Sequence, residues 1–268
     1  MGTPMPRGER GVALLIVLLV TSLLIALIFE FSYATRISLN SAINFRDSQR
    51  AYFLARSGIY AFIKYGDQLR DIYIRQGEWG VVPMISDGDT QVLIRWEDEW
   101  GKININTISS SDITSDWIGN LFAIKGVSTE VVDKIKALKQ GPPVRTFVLL
   151  SELHAVMSDE DYDKVAASLT TSFDSKINMN TASEDVLKSV LPNNPSEVSM
   201  IVSTRKTKKI ESAGEVRLSQ QNADPNVLNR LVVDSAVFRV YANATVGGYT
   251  KAIEAVVNGG KISSWRAL

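Results

Sequence analysis

The chain has 268 residues, of which 45% are hydrophobic and 22% charged, with 29 basic and 29 acidic side chains and one histidine. That is enough apolar material for one or two packed domains. The balanced charge excludes a global basic field that would gather nucleic acid, and the absence of cysteine excludes disulfides and thiolate metal or redox centres. Protein partners are the expectation, with no nucleic acid expected, and stability must come from packing or from a metal held by oxygen ligands.

Arg7 and Arg10 precede an uncharged run from Val12 to Phe29. As a helix that run measures roughly 27 Å, close to the hydrocarbon thickness of a bilayer. The basic start keeps the N-terminus cytoplasmic and sends residues 31–268 to the other side of the membrane. A secretory signal peptide or a simple signal anchor has the same basic-then-apolar order. In a signal peptide, however, the apolar region is usually shorter than the run here, which ends in Phe29-Glu30-Phe31-Ser32-Tyr33-Ala34-Thr35-Arg36. No Gly or Pro follows Val12 until Gly58, and Tyr52, Ala55, Ile59 and Phe62 recur at helical spacing. The pattern predicts one rod from Val12 to about Tyr65, about 80 Å long, half in lipid and half in water.

Arg10-Gly11 directly before Val12-Ala13-Leu14-Leu15-Ile16 resembles the site cut by prepilin peptidase, which cleaves after a Gly on the cytoplasmic side of a span and methylates the new amino terminus. Most pilins and pseudopilins carry Glu at the fifth position after that cut, where this chain has Ile16. The departure resembles the general secretion pathway protein K family, the minor pseudopilins of type II secretion. The resemblance implies a leader over residues 1–11, cleavage between Gly11 and Val12, and N-methylation of Val12. In a filament of apolar helices each Glu can offset a neighbour's buried ammonium, because an unpaired buried charge is costly. A subunit with Ile16 cannot do so, which suits the tip, where no earlier subunit waits to be matched.

Further along, Gln91 to Trp96 reads as a strand. Glu97-Asp98-Glu99-Trp100-Gly101 turns the chain into Lys102-Ile103-Asn104-Ile105-Asn106-Thr107, a short strand or extended segment. The hexad returns as Lys176-Ile177-Asn178-Met179-Asn180-Thr181, so the chain contains an internal repeat. Each copy is expected to run into a helix. Thr181-Ala182-Ser183-Glu184 has the form of a capping box, and Thr107 with Ser109, Ser110 and Ser111 offers N-cap hydroxyls. Apolar residues at three- and four-residue spacing follow both copies: Trp117, Leu121, Ile124, Val131, Ile135 and Leu138 after the first, Val186, Leu187, Val190 and Ile201 after the second. Strand signals resume at Val237 to Ala244 and Tyr249 to Val257, flanking the hairpin dipeptide Gly247-Gly248.

The expected architecture is α+β. A membrane-spanning N-terminal helix leads to an antiparallel sheet against its lower half, and an all-helical unit is inserted between early and late strands. This is the pilin-like layout that the resemblance implies, with two helix-hairpin-helix or SAM-like repeats in the insertion. The expected divisions are 12–30 for the span, 31–65 for the periplasmic half of the helix, 66–106 for the first part of the sheet domain, 107–232 for the insertion and 233–268 for the last strands.

A rival reading comes from the Ile-Asn-x-Asn-Thr-Ala segment before paired helices, which resembles membrane-anchored helix-hairpin-helix DNA-uptake receptors. Leu121-Phe122-Ala123-Ile124-Lys125-Gly126-Val127 approaches the phosphate-binding hairpin, but Ser128 replaces its second Gly and Val190-Leu191-Pro192-Asn193-Asn194-Pro195 has none. Arg205, Lys206, Lys208 and Lys209 could touch phosphates or form a solvated charged turn. For an enzyme, His154 is the single histidine and no nucleophile elbow, Walker loop or zinc-protease motif occurs, so no catalytic residue is expected. Asp87-Gly88-Asp89, Glu97-Asp98-Glu99 and Asp159-Glu160-Asp161-Tyr162-Asp163 offer hard oxygen ligands for calcium, but without the EF-hand order, so solvated turns or helix N-termini are the default reading. Taken together, the resemblance implies a minor pseudopilin of the bacterial inner membrane that meets prepilin peptidase and the other minor and major pseudopilins, then starts and caps a pseudopilus. A type IV pilus minor pilin is the neighbouring alternative.

Overall fold

In the computed structural model, which describes residues 7–76, 80–108, 113–140, 146–171, 174–219 and 222–268, a single helix α1 runs from Arg7 to Gln76. No proline interrupts it, so it continues past Gly58 and Gly66 and reaches about 105 Å, beyond the expected end near Tyr65. Its two halves have different surroundings. Every residue from Gly11 to Arg46 is exposed, whereas Asp47, Ala51, Ala55, Gly58, Ile59 and Phe62 are buried and Tyr52 is half-buried.

Strands β1 (Gly80–Asp87) and β2 (Thr90–Asp98) follow as a hairpin. The chain then passes through β3 (Ile103–Asn104), α2 (Thr114–Lys125), α3 (Glu130–Gln140), α4 (Asp159–Val165) and β4 (Leu169–Thr170). A second pass gives β5 (Ile177–Asn178), α5 (Glu184–Val190), α6 (Pro195–Thr204), α7 (Pro225–Leu228) and β6 (Leu231–Val232). It closes with β7 (Val237–Val246), β8 (Tyr249–Asn258) and β9 (Lys261–Ala267). The main sheet has the order β1-β2-β7-β8-β9, antiparallel throughout. The helical unit thus leaves from β2 and returns to β7, and these two strands are hydrogen-bonded neighbours. Gly247 and Gly248 have φ of 55° and 85°, which explains the glycine pair at the β7–β8 turn.

Two apolar cores result. Ala55, Ile59 and Phe62 of α1 pack on Val92, Ile94 and Trp96 of β2, Phe238, Val240, Ala242 and Ala244 of β7, and Ile253, Ala255 and Val257 of β8. Small residues let helix and sheet approach: a Cβ on Gly58 would lie 3.0 Å from the Ala242 Cβ. The second core, from Ile103 to Leu231, is built by the helices, with Trp117, Phe122, Phe147 and Ile135 at its centre.

The sequence repeat is a structural repeat. β3 pairs in parallel with β4, Ile103 opposite Leu169, and β5 with β6, Ile177 opposite Leu231. Asn104 Oδ1 accepts from the Asn106 N–H at 2.9 Å, and Asn178 Oδ1 from the Asn180 N–H at 3.0 Å. Asn106 then donates to the carbonyls of Phe147 and Thr171 and accepts from the Phe147 N–H. Asn180 donates to the carbonyls of Ile210 and Val233 and accepts from the Ile210 N–H. In each copy one asparagine fixes the hexad turn and the next pins two distant backbone segments. The halves meet where α2 packs on α5 and Asn120 donates to the Ser189 carbonyl at 3.0 Å.

The helix starts differ from those expected. α5 is capped by Ser183, whose hydroxyl accepts from the Val186 N–H, while Thr181 turns away to donate to Asp98. Thr107 caps no helix either, because its hydroxyl donates to the Asn104 carbonyl. Ser109, Ser110 and Ser111 lie outside the described residues.

Candidate membrane and assembly interface

The exposed half of α1 is the surface most at odds with water. Leu14, Leu15, Leu18 and Ile28 have 68%, 66%, 63% and 64% of their surface open. Within Gly11–Gln68 an 18-residue window reaches a mean hydropathy of 3.2 with none of it buried, the one helix among the described residues long and apolar enough to cross a membrane. Its polar side chains are satisfied internally: Thr21 Oγ1 donates to the Val17 carbonyl at 2.9 Å and Ser22 Oγ to the Leu18 carbonyl at 2.7 Å. Such back-bonding is what a lipid-exposed hydroxyl needs. Gly11, Val12 and Ile16 all sit on this open helix; Val12 and Ile16 are 60% and 55% exposed, and a side chain on Gly11 would meet nothing within 4 Å.

Asp47 marks the start of the docked half. It accepts from Arg46 at 2.8 Å and lies under the β7–β8 turn, where a Cβ on Gly247 would come within 2.7 Å of its Oδ2.

At the other end of the sheet the helical unit is locked on by buried charges. Asp98 Oδ1 accepts from the Trp100 N–H, and Oδ2 from Asn178, Thr181 and Ser235 at 2.9, 2.6 and 2.5 Å. Burial nevertheless holds its carboxyl above the ordinary aspartate range, outweighing those donors. Glu99 accepts from Thr170 and, at 2.6 Å, from Arg239, which also bonds Glu254 at 2.7 Å; Arg266 completes the chain at 3.0 Å from Glu254. Burial works against the Arg239 charge, but the paired Glu99 and nearby Glu254 hold its pKa above that of an ordinary arginine. Burial, aided by the Glu254 charge, pushes the Tyr241 hydroxyl up to about 12. Glu97 is likewise raised by burial, although Lys102 pairs with it. A cleft of about 310 Å³ opens beside these groups, between sheet and insertion.

The expectation of solvated carboxylates at Glu97-Asp98-Glu99 is therefore corrected: all three are buried, since the insertion covers the second face of β2 at its end. Asp87-Gly88-Asp89 forms the β1–β2 turn, and Asp159 to Asp163 opens α4 behind the Ser158 cap. Among the described residues no group of three or more His, Asp or Glu side chains is placed to share a metal ion.

The His154 Nδ1–H donates to the Asp159 carboxylate at 2.8 Å and the ring stacks on Tyr162 at 4.1 Å, exposed in a short 3-10 helix. The candidate phosphate hairpin is occupied by its own bonds: Gly126 takes φ 70° as the cap of α2, and the N–H groups of Gly126 and Val127 return to the carbonyls of Ala123 and Phe122. The Glu130 N–H bonds Ser128 Oγ. Arg205 donates to the carbonyls of Met179 and Ala182, Lys208 pairs with Glu215 and Lys209 with Asp234. Residues 205–208 thus form the charged turn expected there, with Lys206 and Lys208 exposed, while Arg205 is tied into the fold. Sequence reading missed Arg239, Glu254 and Arg266; their one signal is a charge set among apolar residues of otherwise regular strands.

No family model matches the sequence, and no curated protein does. The fold, however, matches a chain in the crystal structure of the GspK-GspI-GspJ complex of the type 2 secretion system from enterotoxigenic Escherichia coli. The TM-score is 0.63 at 13% sequence identity, over 85% of this chain and 99% of that one. This chain therefore has an α+β pilin-like fold, with its long helix, antiparallel sheet and helical insertion.

Proposed function

We propose that this protein is a minor pseudopilin of a bacterial type II secretion system. The observation that carries the reading is the pairing of a fully exposed apolar half-helix, Gly11 to Arg46, with a sheet and helical insertion whose fold is matched in a secretion pseudopilin complex. The precursor sits in the inner membrane by one span with its folded part in the periplasm. Prepilin peptidase cuts between Gly11 and Val12 and the Val12 amine is methylated. The subunit then joins other minor pseudopilins and the major pseudopilin through α1. Ile16 offers no carboxylate to a preceding ammonium, so the subunit starts the filament, and the bulk of the insertion caps it.

The test uses the open surroundings of Gly11. Because no atom lies within 4 Å of a side chain placed there, Gly11→Leu leaves the fold intact and changes only the peptidase site. In cells with an active prepilin peptidase the variant is expected to keep residues 1–11 while the native chain loses them, read by intact mass. Normal trimming of the variant would contradict the proposed cut.

A further inference from the structure

The two halves of the helical insertion meet along α2 and α5, and their seam leaves a pocket. Its walls are one face of α2 with Asp116 and Asn120, the α5–α6 turn that ends at Asn194, and the start of α7 with Asp224. Every lining residue belongs to the insertion, none to α1 or the main sheet. Its volume is about 160 Å³. Cofactors and drug-sized ligands fill roughly 300 Å³ or more, so the pocket has the scale of a single long side chain.

Buried Trp117, Leu191 and Val227 supply the apolar part of the lining. The polar groups around them present acceptors. Asp116 and Asp224 are exposed at the rim, and Asp224 Oδ1 also takes the Asn226 N–H as the cap of α7. No basic side chain lines the pocket. Asn194, 8% exposed, donates its amide to the Asn222 carbonyl at 2.8 Å, and Asn120 donates to the Ser189 carbonyl at 3.0 Å. A carbonyl only accepts, so each bond turns the NH2 toward the backbone and leaves Oδ1 as an acceptor. Among the described residues nothing donates to either oxygen. Two carboxylates and two fixed amide oxygens around an apolar floor call for a donor-rich cation on an apolar stem. An ammonium gathers its donors at one point, whereas a guanidinium spreads five in a planar fork, which suits acceptors standing on three separate elements.

We infer that this seam pocket binds an arginine side chain presented on an exposed turn of a partner protein. The guanidinium sits between Asp116 and Asp224 and donates to Asn120 and Asn194, while its methylene stem lies on Trp117 and Leu191. None of these groups belongs to the membrane-spanning helix, so the pocket stands whether or not the chain is cut at Gly11.

The probe is Nα-acetyl-arginine amide, and saturation-transfer NMR on the full chain in detergent micelles reads its binding. The citrulline amide serves as the uncharged isostere and the lysine amide as the point charge. The arginine compound is expected to receive saturation at its side-chain methylenes, with the lysine compound severalfold weaker and the citrulline compound about tenfold or more weaker. Asp116→Asn and Asp224→Asn are each expected to weaken binding about tenfold; the second keeps the oxygen that caps α7, so that helix is preserved. Glu184→Gln, at the outer start of α5, is expected to bind as the native chain does. Absence of saturation would assign the pocket to water and overturn the inference. So would equal binding of the citrulline or lysine compound, unchanged binding in both aspartate variants, or an equal loss in Glu184→Gln, which would mark a diffuse attraction of charge. Intact mass of the same preparation reports the Gly11–Val12 cut independently, so either reading can fail without the other.

Discussion

At Asn180 one buried side chain donates to two carbonyls and accepts from one amide on segments 30 and 53 residues away. Replacing it with Ala strands the Ile210 N–H and both carbonyls inside the second core. We expect a loss of about 1–3 kcal/mol in urea melts of Asn180→Ala, and a smaller loss for Asn106→Ala, whose site is only half-buried; equal, negligible effects would mean that water replaces the pins. Asp98 yields a test in pH. Its carboxyl titrates above the ordinary range because it is buried, so between the unfolded and folded values the folded chain holds a proton that the unfolded chain has released. Stability from this group is present at the acid side and falls as pH rises through the folded value. Glu97 acts in the same direction, while Glu197 and Glu215, held low but at the open surface, act weakly in the opposite one. The native chain is expected to lose stability relative to Asp98→Asn as pH is raised from the ordinary aspartate range toward neutral. A difference independent of pH would show Asp98 ionised throughout.

Among the elements, those whose periodicity is strong and local could be read directly from residues. The α1 stripe from Ala55 to Phe62 and the hairpin around Gly247-Gly248 are seen as expected, and the repeated hexad marks two equivalent turns. β1 escaped because Pro83 interrupts it beside an irregular register, and β9 because Lys261 to Ala267 holds few apolar residues. The ladders β3–β4 and β5–β6 are two residues long and exist only because the insertion brings distant segments together. The charge chain across β7, β8 and β9 was hidden because Arg239 meets Glu99 only when β7, far along the sequence beyond the insertion, pairs with β2. That joint should be costly to break on one side. Arg239→Met leaves Glu99 and Glu254 buried without their common partner, and we expect about 3–5 kcal/mol of destabilisation in melts of the detergent-solubilised chain. A change below about 1 kcal/mol would mean that both carboxyls accept protons or water instead.

As a whole, the molecule divides its sequence between two solvents. One end of α1 is apolar with no protein around it, and the other end is fixed by a sheet that carries the helical insertion at the ends of its inner strands β2 and β7. The proposed function calls for that asymmetry, in a subunit first held in a bilayer and then drawn into a helical filament with its bulk at the front. The most direct test is the intact mass of the protein isolated from its own cells. A chain that begins at N-methylated Val12 is the predicted result. A chain that begins at Met1, or at any residue beyond Phe31, would contradict both the peptidase site and the anchored subunit built on it.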